Sequence, residues 1–310
     1  MEKVEELFSK LDAGVAELRR TQGLLKRYRQ SLLHAAVTGE LSREWRTQTQ
    51  NISSWLEATV EECATTIFDG PFGSNLKSSD YTSVGIRVIR LENIGHLQFI
   101  SEKKTYISEE KYQNLKRYTI QSKDIIFSSF IDKSIRVCIY ETKFGKSINK
   151  ADCFAIRCNT SRVIPEYLVF ALSDQDTYIE FSKNIHGATR PRINLSQLRS
   201  FVFKLPPLPE QEFIVAEVER RLSVLDNLEA TVAAELKRAE STRQSILHRA
   251  FTGQLVPQDP TDEPASTLLD RIQGERIAAG AAAIRAGAGS GRRGRPRKAQ
   301  GSDPLLTEKE

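Results

Sequence analysis

Two short stretches concentrate the side chains that could do chemistry. The first runs Phe68-Asp69-Gly70-Pro71-Phe72-Gly73-Ser74-Asn75-Leu76-Lys77-Ser78-Ser79-Asp80-Tyr81, the second His186-Gly187-Ala188-Thr189-Arg190-Pro191-Arg192-Ile193-Asn194. Both are rich in turn formers. The first also carries Ser, Asn and Lys and the second Thr, Arg and Asn, side chains that read base edges and hold phosphates. Ser74, Asn75, Lys77 and Ser78 in the first, and Thr189, Arg190 and Arg192 in the second, are therefore candidate DNA contacts. The plainer readings are a capping turn for the first loop and ordinary surface charge for the second.

That chemistry is binding. No Asn/Asp-Pro-Pro-aromatic motif of an adenine methyltransferase is present, since the double proline Pro206-Pro207 lies between Leu205 and Leu208. No glycine fingerprint for S-adenosylmethionine or a dinucleotide follows a strand. Gly145-Lys146-Ser147 resembles the end of a P-loop, but the glycine needed five residues earlier is Tyr140. The histidines (His34, His96, His186, His248) are scattered, and Cys63, Cys138, Cys153 and Cys158 form no C-x-x-C pair. With no export signal, the thiols are expected to be reduced and the chain cytoplasmic. No apolar run approaches the length of a membrane span.

The loops need elements to hold them, and the ends of the chain supply the clearest ones. Residues 4–41 realign onto 218–255 without a gap, and 15 of the 38 positions are identical. The densest part is 29–41 against 243–255, Arg-Gln-Ser-x-Leu-His-x-Ala-x-Thr-Gly-x-Leu in both copies. His34 and His248 occupy equivalent positions there, which points to a surface or packing role. Val4, Leu11, Leu18, Leu25 and Leu32 are spaced by seven, as are Val218, Leu225, Val232, Ala239 and Ile246. Such seams predict two long coiled-coil helices of roughly 55–65 Å. Gly39 and Gly253 stand where a C-terminal cap would end each helix, and Pro206, Pro207 and Pro209 mark the start of the second. One helix enters the central segment and the other leaves it, so they can pair only antiparallel.

Between them the period changes. Residues 85–91, 123–129 and 134–140 are short, β-branched and partly alternating, and read as strands. Pro165 opens a helix, and 193–205 mixes both signals. The expected fold class is α+β: one globular α+β domain on a stalk of two long antiparallel helices, followed by a disordered C-terminal tail. The boundaries are 1–41 for the first spacer helix, 42–205 for the recognition domain, 206–256 for the second spacer helix and 257–310 for the tail.

Charge agrees with a binding role. The chain has 310 residues, 39% hydrophobic and 27% charged, with a net charge of +5. By segment the balance is +1, +5, −2 and +1, so the excess lies in the central domain. Lys183, Arg190, Arg192, Arg199 and Lys204 follow one another with no acid between Glu180 and Glu210. Such a stretch attracts a phosphate backbone, although a charge this moderate also suits a solvated face. The tail is low in complexity around 280–291, where small residues cannot build a core. Arg293, Arg295 and Arg297 then sit in an Arg-Gly-Arg-Pro-Arg run that resembles a minor-groove AT-hook core.

The whole arrangement resembles the specificity subunit of type I restriction–modification systems, in a half-size form with one target-recognition domain. Three features carry the resemblance over about residues 2–256. They are the repeated helix end, Leu205-Pro206-Pro207-Leu208-Pro209-Glu210-Gln211 at the join of head and stalk, and the loop Asp69–Lys77 with its partner Gly187-Ala188-Thr189-Arg190. The resemblance implies a non-catalytic DNA-recognition subunit. It would read one half of a bipartite double-stranded DNA target and dock modification (methyltransferase) and restriction (endonuclease/translocase) subunits. No cofactor is expected on this chain, with S-adenosylmethionine, ATP and Mg on the partner subunits only. The family order is domain, spacer, domain, spacer, whereas here it is spacer, domain, spacer, so a second copy or another half-size subunit is an expected partner. Ile131-Asp132-Lys133-Ser134 departs from a family pattern often rich in glycine. The alternatives are a fragment of a fused restriction–methylation enzyme, disfavoured by the missing motifs, and a coiled-coil scaffold with no DNA role.

Overall fold

The computed structural model describes residues 2–49, 54–131, 134–183, 191–257, 261 and 263–287. Helix α1 (Glu2–Thr38) leads into a short α2 (Arg43–Gln48). The strands are β1 (Leu56–Thr59), β2 (Ala64–Phe68), β3 (Tyr81–Thr82), β4 (Ile86–Ile89), β5 (Tyr106–Ile107), β6 (Thr119–Ile120), β7 (Ile125–Ser128), β8 (Val137–Ile139), β9 (Ser147–Asn149), β10 (Cys153–Cys158) and β11 (Val202–Leu205). Helix α3 (Glu109–Leu115) lies between β5 and β6, and α4 (Pro165–Ser173), α5 (Gln175–Lys183) and α6 (Leu195–Arg199) precede β11. Helix α7 (Leu208–Phe251) runs 44 residues, and α8 (Ala265–Gly287) follows.

Three sheets build the head. The four-stranded sheet β2-β10-β7-β8 is antiparallel throughout, and the five-stranded sheet β3-β5-β4-β9-β6 carries one parallel pair, β4 with β9. The ladder of β1 with β11 sets Leu56 opposite Leu205, so entry to and exit from the head lie side by side. The strand-like stretches 85–91, 123–129 and 134–140 contain β4, β7 and β8, and Pro165 opens α4. The mixed segment 193–205 resolves into α6 and β11.

The chain divides into two compact units, Glu5–Arg243 and a smaller one of Met1–Val4 with Gln244–Glu310. Within the larger unit α1 and α7 pair antiparallel. Arg29 reaches Asp226 at 2.5 Å and Glu229 at 3.1 Å, while Arg243, further along α7, pairs with Asp12 and stacks over Phe8 near the start of α1. The seven-residue seam is the contact: Val218, Leu225 and Val232 are buried, and Leu11, Leu18 and Leu25 are partly covered. Leu32, Leu33 and Ala36 of α1, and Ile214 and Val218 of α7, share one core with Ile125, Phe127, Ile156, Tyr167 and Leu168 of the head. Stalk and head are therefore one packed body. Gly39 (φ +86°) takes the left-handed cap conformation that ends α1, and Gly253 (φ +70°) does so after α7.

Two residues of the proline-rich join clamp it. Glu210 is fully buried and accepts from Ser42 Oγ at 2.6 Å and from Arg46 Nη1, whose other nitrogen donates to the carbonyl of Gly39 at 2.7 Å. Gln211 accepts from the Ile164 N–H at 2.8 Å and donates to the carbonyls of Arg162 and Pro206. Trp45 stacks on Phe213 beside them.

All four cysteines are buried and unpaired, and burial pushes the Cys138 and Cys158 thiols up to about 12. Among the described residues beyond 257 none is buried: every described side chain of α8 is exposed. This segment is nonetheless helical as far as Gly287, because alanine carries the highest helix propensity. Among the described residues no helix is long and apolar enough to cross a membrane.

Candidate nucleic-acid interface

The first loop leaves β2 through a tight anchor. Asp69 Oδ1 accepts from the N–H of Gly70 at 2.7 Å and of Asp152 at 3.0 Å, tying the loop to the β9–β10 turn. Gly70 packs so closely there that an added Cβ would lie 2.1 Å from the Lys150 carbonyl carbon. Glycine at this position is thus a demand of close approach. Pro71 and Leu76 are buried, and Asp80 closes the loop by accepting from the Lys77 N–H at 2.7 Å and pairing with Lys111 at 3.0 Å. Those two donors hold the Asp80 carboxyl below its ordinary range. Between the anchors Phe72, Ser74, Asn75, Lys77 and Ser78 are all exposed, and the side chains of Ser74, Asn75 and Ser78 have no hydrogen-bond partner among the described residues. A loop rigid at both ends and unsatisfied in the middle offers its polar groups to a ligand.

The described end of the second loop reaches the same place. Thr189 and Arg190 lie outside the described residues, as do Arg293, Arg295 and Arg297 of the tail. Arg192 is described: it bridges Phe130, and its exposed guanidinium stands 3.6 Å from Asp152 Oδ1. Ser129 Oγ donates to the same oxygen at 3.1 Å. The acid pair Asp69–Asp152 therefore has loop one springing from one side and Arg192 held on the other.

The acid-free cationic run of the sequence does not form one patch. Lys183 pairs with Glu180 at 2.7 Å. Arg199 pairs with Glu61 at 3.3 Å and donates to the carbonyl of Ile67 at 2.8 Å, which makes it a strut between α6 and β2. Asn194 belongs to a helix cap, its Oδ1 accepting from the Gln197 N–H at 2.8 Å. The fold also adds cations that sequence reasoning missed. Lys150 Nζ donates to Tyr81 Oη at 2.7 Å, and Arg90 lies over the Tyr81 ring at 5.7 Å, so two basic residues flank the end of loop one. No local motif marks either of them; the parallel pairing of β4 with β9 brings them together.

Burial, with Asp152 close by, pushes the Asp69 carboxyl up to about 6 against the pull of the Gly70 N–H. The folded protein therefore binds this proton more tightly than the unfolded chain, whose carboxyl sits near 3.8. The stabilisation from the neutral acid is fully present below about 4 and is lost as pH rises through about 6. Asp69→Asn keeps the Oδ1 acceptor and removes the titration. The urea midpoint should then fall less between pH 4 and 7 in the variant than in the wild type. Equal slopes would show that Asp69 does not titrate in this range.

Comparison with known proteins fits this geometry. Residues 74–238 match the family described as the type I restriction modification DNA specificity domain. The chain belongs to that family. It is 28% identical over 300 residues to the EcoBI specificity subunit of Escherichia coli, covering 90% of this chain and 62% of that one. It is 27% identical over 295 residues to the EcoKI specificity subunit of Escherichia coli (strain K12), with the same coverage. The chain thus spans about three-fifths of the length of these curated relatives. A solved structure on complex assembly and conformational transition of the type I R-M system superposes with a TM-score of 0.55 at 18% identity. That match covers 82% of this chain and 60% of the other, and supports the fold alone. A DNA specificity domain and relatives named as specificity subunits agree with a recognition component rather than a catalyst.

Proposed function

We propose that this chain is the DNA sequence-specificity subunit of a cytoplasmic type I restriction–modification complex. Its head reads one half of a bipartite target. The observation that carries the reading is the junction of Asp69 with Asp152, where the first loop with its exposed Ser74, Asn75, Lys77 and Ser78 is anchored and beside which Arg192 stands. Thr189 and Arg190 complete the contact from the second loop, and Lys150 and Arg90 add phosphate-holding charge. The other half-site is read by another head, on a second copy of this chain or on a different chain.

The stalk is the docking element for modification and restriction subunits, which bring S-adenosylmethionine, ATP and Mg. Leu24, Tyr28, Val224 and Leu228, each about half exposed, line a shallow apolar groove at its middle. An exposed apolar cluster of this kind suits a protein partner.

Mapping methylated adenines genome-wide, with and without this gene, tests the proposal. Loss of one interrupted motif is expected on deletion. A symmetric motif indicates a second copy as the partner, and an asymmetric one a different chain. Methyl transfer by the purified chain alone, or an unchanged methylome, would overturn it.

A further inference from the structure

His34 ends the first repeat at the position where His248 ends the second, yet only one of them meets acids among the described residues. The His34 Nδ1 stands 3.3 Å from Asp174 Oδ2 and 4.0 Å from Asp176 Oδ2. One ligand atom from each of the three residues lies within 4.8 Å of the others. Asp174 is 4% exposed, and its Oδ1 is buried with no hydrogen-bond partner, while its Oδ2 takes only a long 3.3 Å bond from the Asp176 N–H besides the histidine. A buried carboxylate with one oxygen left without a donor is costly, and a cation bound at the carboxylate would offset that cost.

The distances bear on which cation. A charge-assisted N–H···O bond closes to about 2.7–2.9 Å, so 3.3 Å is a poor one. Ligands about 2.0–2.2 Å from a tetrahedral zinc stand roughly 3.3 Å apart, so the observed spacing suits two groups sharing an ion. One imidazole with two carboxylates is a donor set for a borderline divalent metal rather than for calcium or magnesium, which take oxygen. Asp174 and Asp176 also line a cavity of about 520 Å³ against Thr38, Thr177 and Glu180, which gives an ion a route in. Arg29, which lines a second cavity with Asp174, is already matched by Asp226 and Glu229.

We propose that His34, Asp174 and Asp176 form a site for a zinc-class divalent ion. The ion pins the end of α1 to the α4–α5 corner and so reinforces the packed join of head and stalk. The repeat supplies its own control, because His248 holds the equivalent repeat position and has no acidic partner among the described residues.

The full-length chain is stripped with a chelator, titrated with Zn²⁺ by calorimetry, and assayed for bound metal after gel filtration. Wild type should retain one equivalent, and its Tm should rise by roughly 5–10 °C at ~100-fold excess over the Kd. His34→Gln and the exposed Asp176→Asn should each weaken binding by about tenfold or more, with circular dichroism unchanged. His248→Gln should bind as wild type does. Retention of zinc by His34→Gln, equal loss in His248→Gln, or no zinc-dependent shift in wild type would overturn the proposal.

Discussion

Replacing Glu210 with alanine should cost about 3–5 kcal/mol, the range for removing one partner of a buried ion pair. The carboxylate is fully buried at the first turn of α7, where it holds both Ser42, just before α2, and Arg46 of α2. Its loss leaves the buried Ser42 hydroxyl without its acceptor and the three-quarters-buried Arg46 guanidinium without its counter-ion. Arg46 would keep only the Ser42 hydroxyl oxygen, the Gly39 carbonyl and the Trp55 ring, 5.8 Å from its guanidinium carbon. A second substitution tests the cause. If the damage comes from the stranded charge, Arg46→Met on the Glu210→Ala background should recover part of the loss, because two apolar groups leave less to satisfy than one orphaned ion. Urea unfolding of the four species closes the cycle. A cost below about 1 kcal/mol for Glu210→Ala, or full additivity with Arg46→Met, would show that the clamp contributes little.

That clamp also marks how far the sequence could be read. The stalk was legible because its information is local: a seven-residue seam and a gapless duplication fix two helices and their caps, and their antiparallel sense follows from one entering and the other leaving the head. The strand centres at β4, β7 and β8 were legible for the same reason. The proline-rich join carried a family resemblance, but nothing in Glu210-Gln211 says that these side chains turn back onto Ser42, Arg46 and Ile164. Such contacts depend on where α1 and the head lie in space. Long-range register hid the rest. Arg199 reads as one more cation of a phosphate-facing run and becomes a strut only when α6 packs beside Glu61 and β2. Asn194 reads as a base-reading amide and is consumed as a helix cap. Lys150 and Arg90, remote in sequence, arrive beside Tyr81 through strand pairing. The exposure of Ser74, Asn75, Lys77 and Ser78 was legible because turn-rich, hydrogen-bonding sequence favours a surface loop. Their shared base, Asp69 with Asp152, was not, because 83 residues separate the two carboxylates.

The combined substitution of Lys77, Arg190 and Arg192 by alanine in the reconstituted complex should weaken specific DNA binding by about 3–6 kcal/mol, two to four orders of magnitude, if each residue contributes its usual share. The single variants separate the roles. A residue that meets a base edge should cost about 1–3 kcal/mol and relax the methylation motif at one position, whereas a residue on phosphate should weaken all sequences alike and lower the salt slope by about one. Arg192 is the informative case because its guanidinium is held 3.6 Å from Asp152 without DNA. To reach DNA it must leave that carboxylate, so its contribution is reduced by the ion pair it gives up. An exposed pair of this kind is worth only about 0–1 kcal/mol, less than a base or phosphate interaction provides, which is why Arg192 can serve both partners. Asp152→Asn should then tighten DNA binding slightly in the wild-type background and have no effect once Arg192 is alanine. Fluorescence anisotropy across a salt series, read beside the methylation motif, measures each contribution. Unchanged affinity and an unchanged motif in the triple variant would place the DNA on another face of the head.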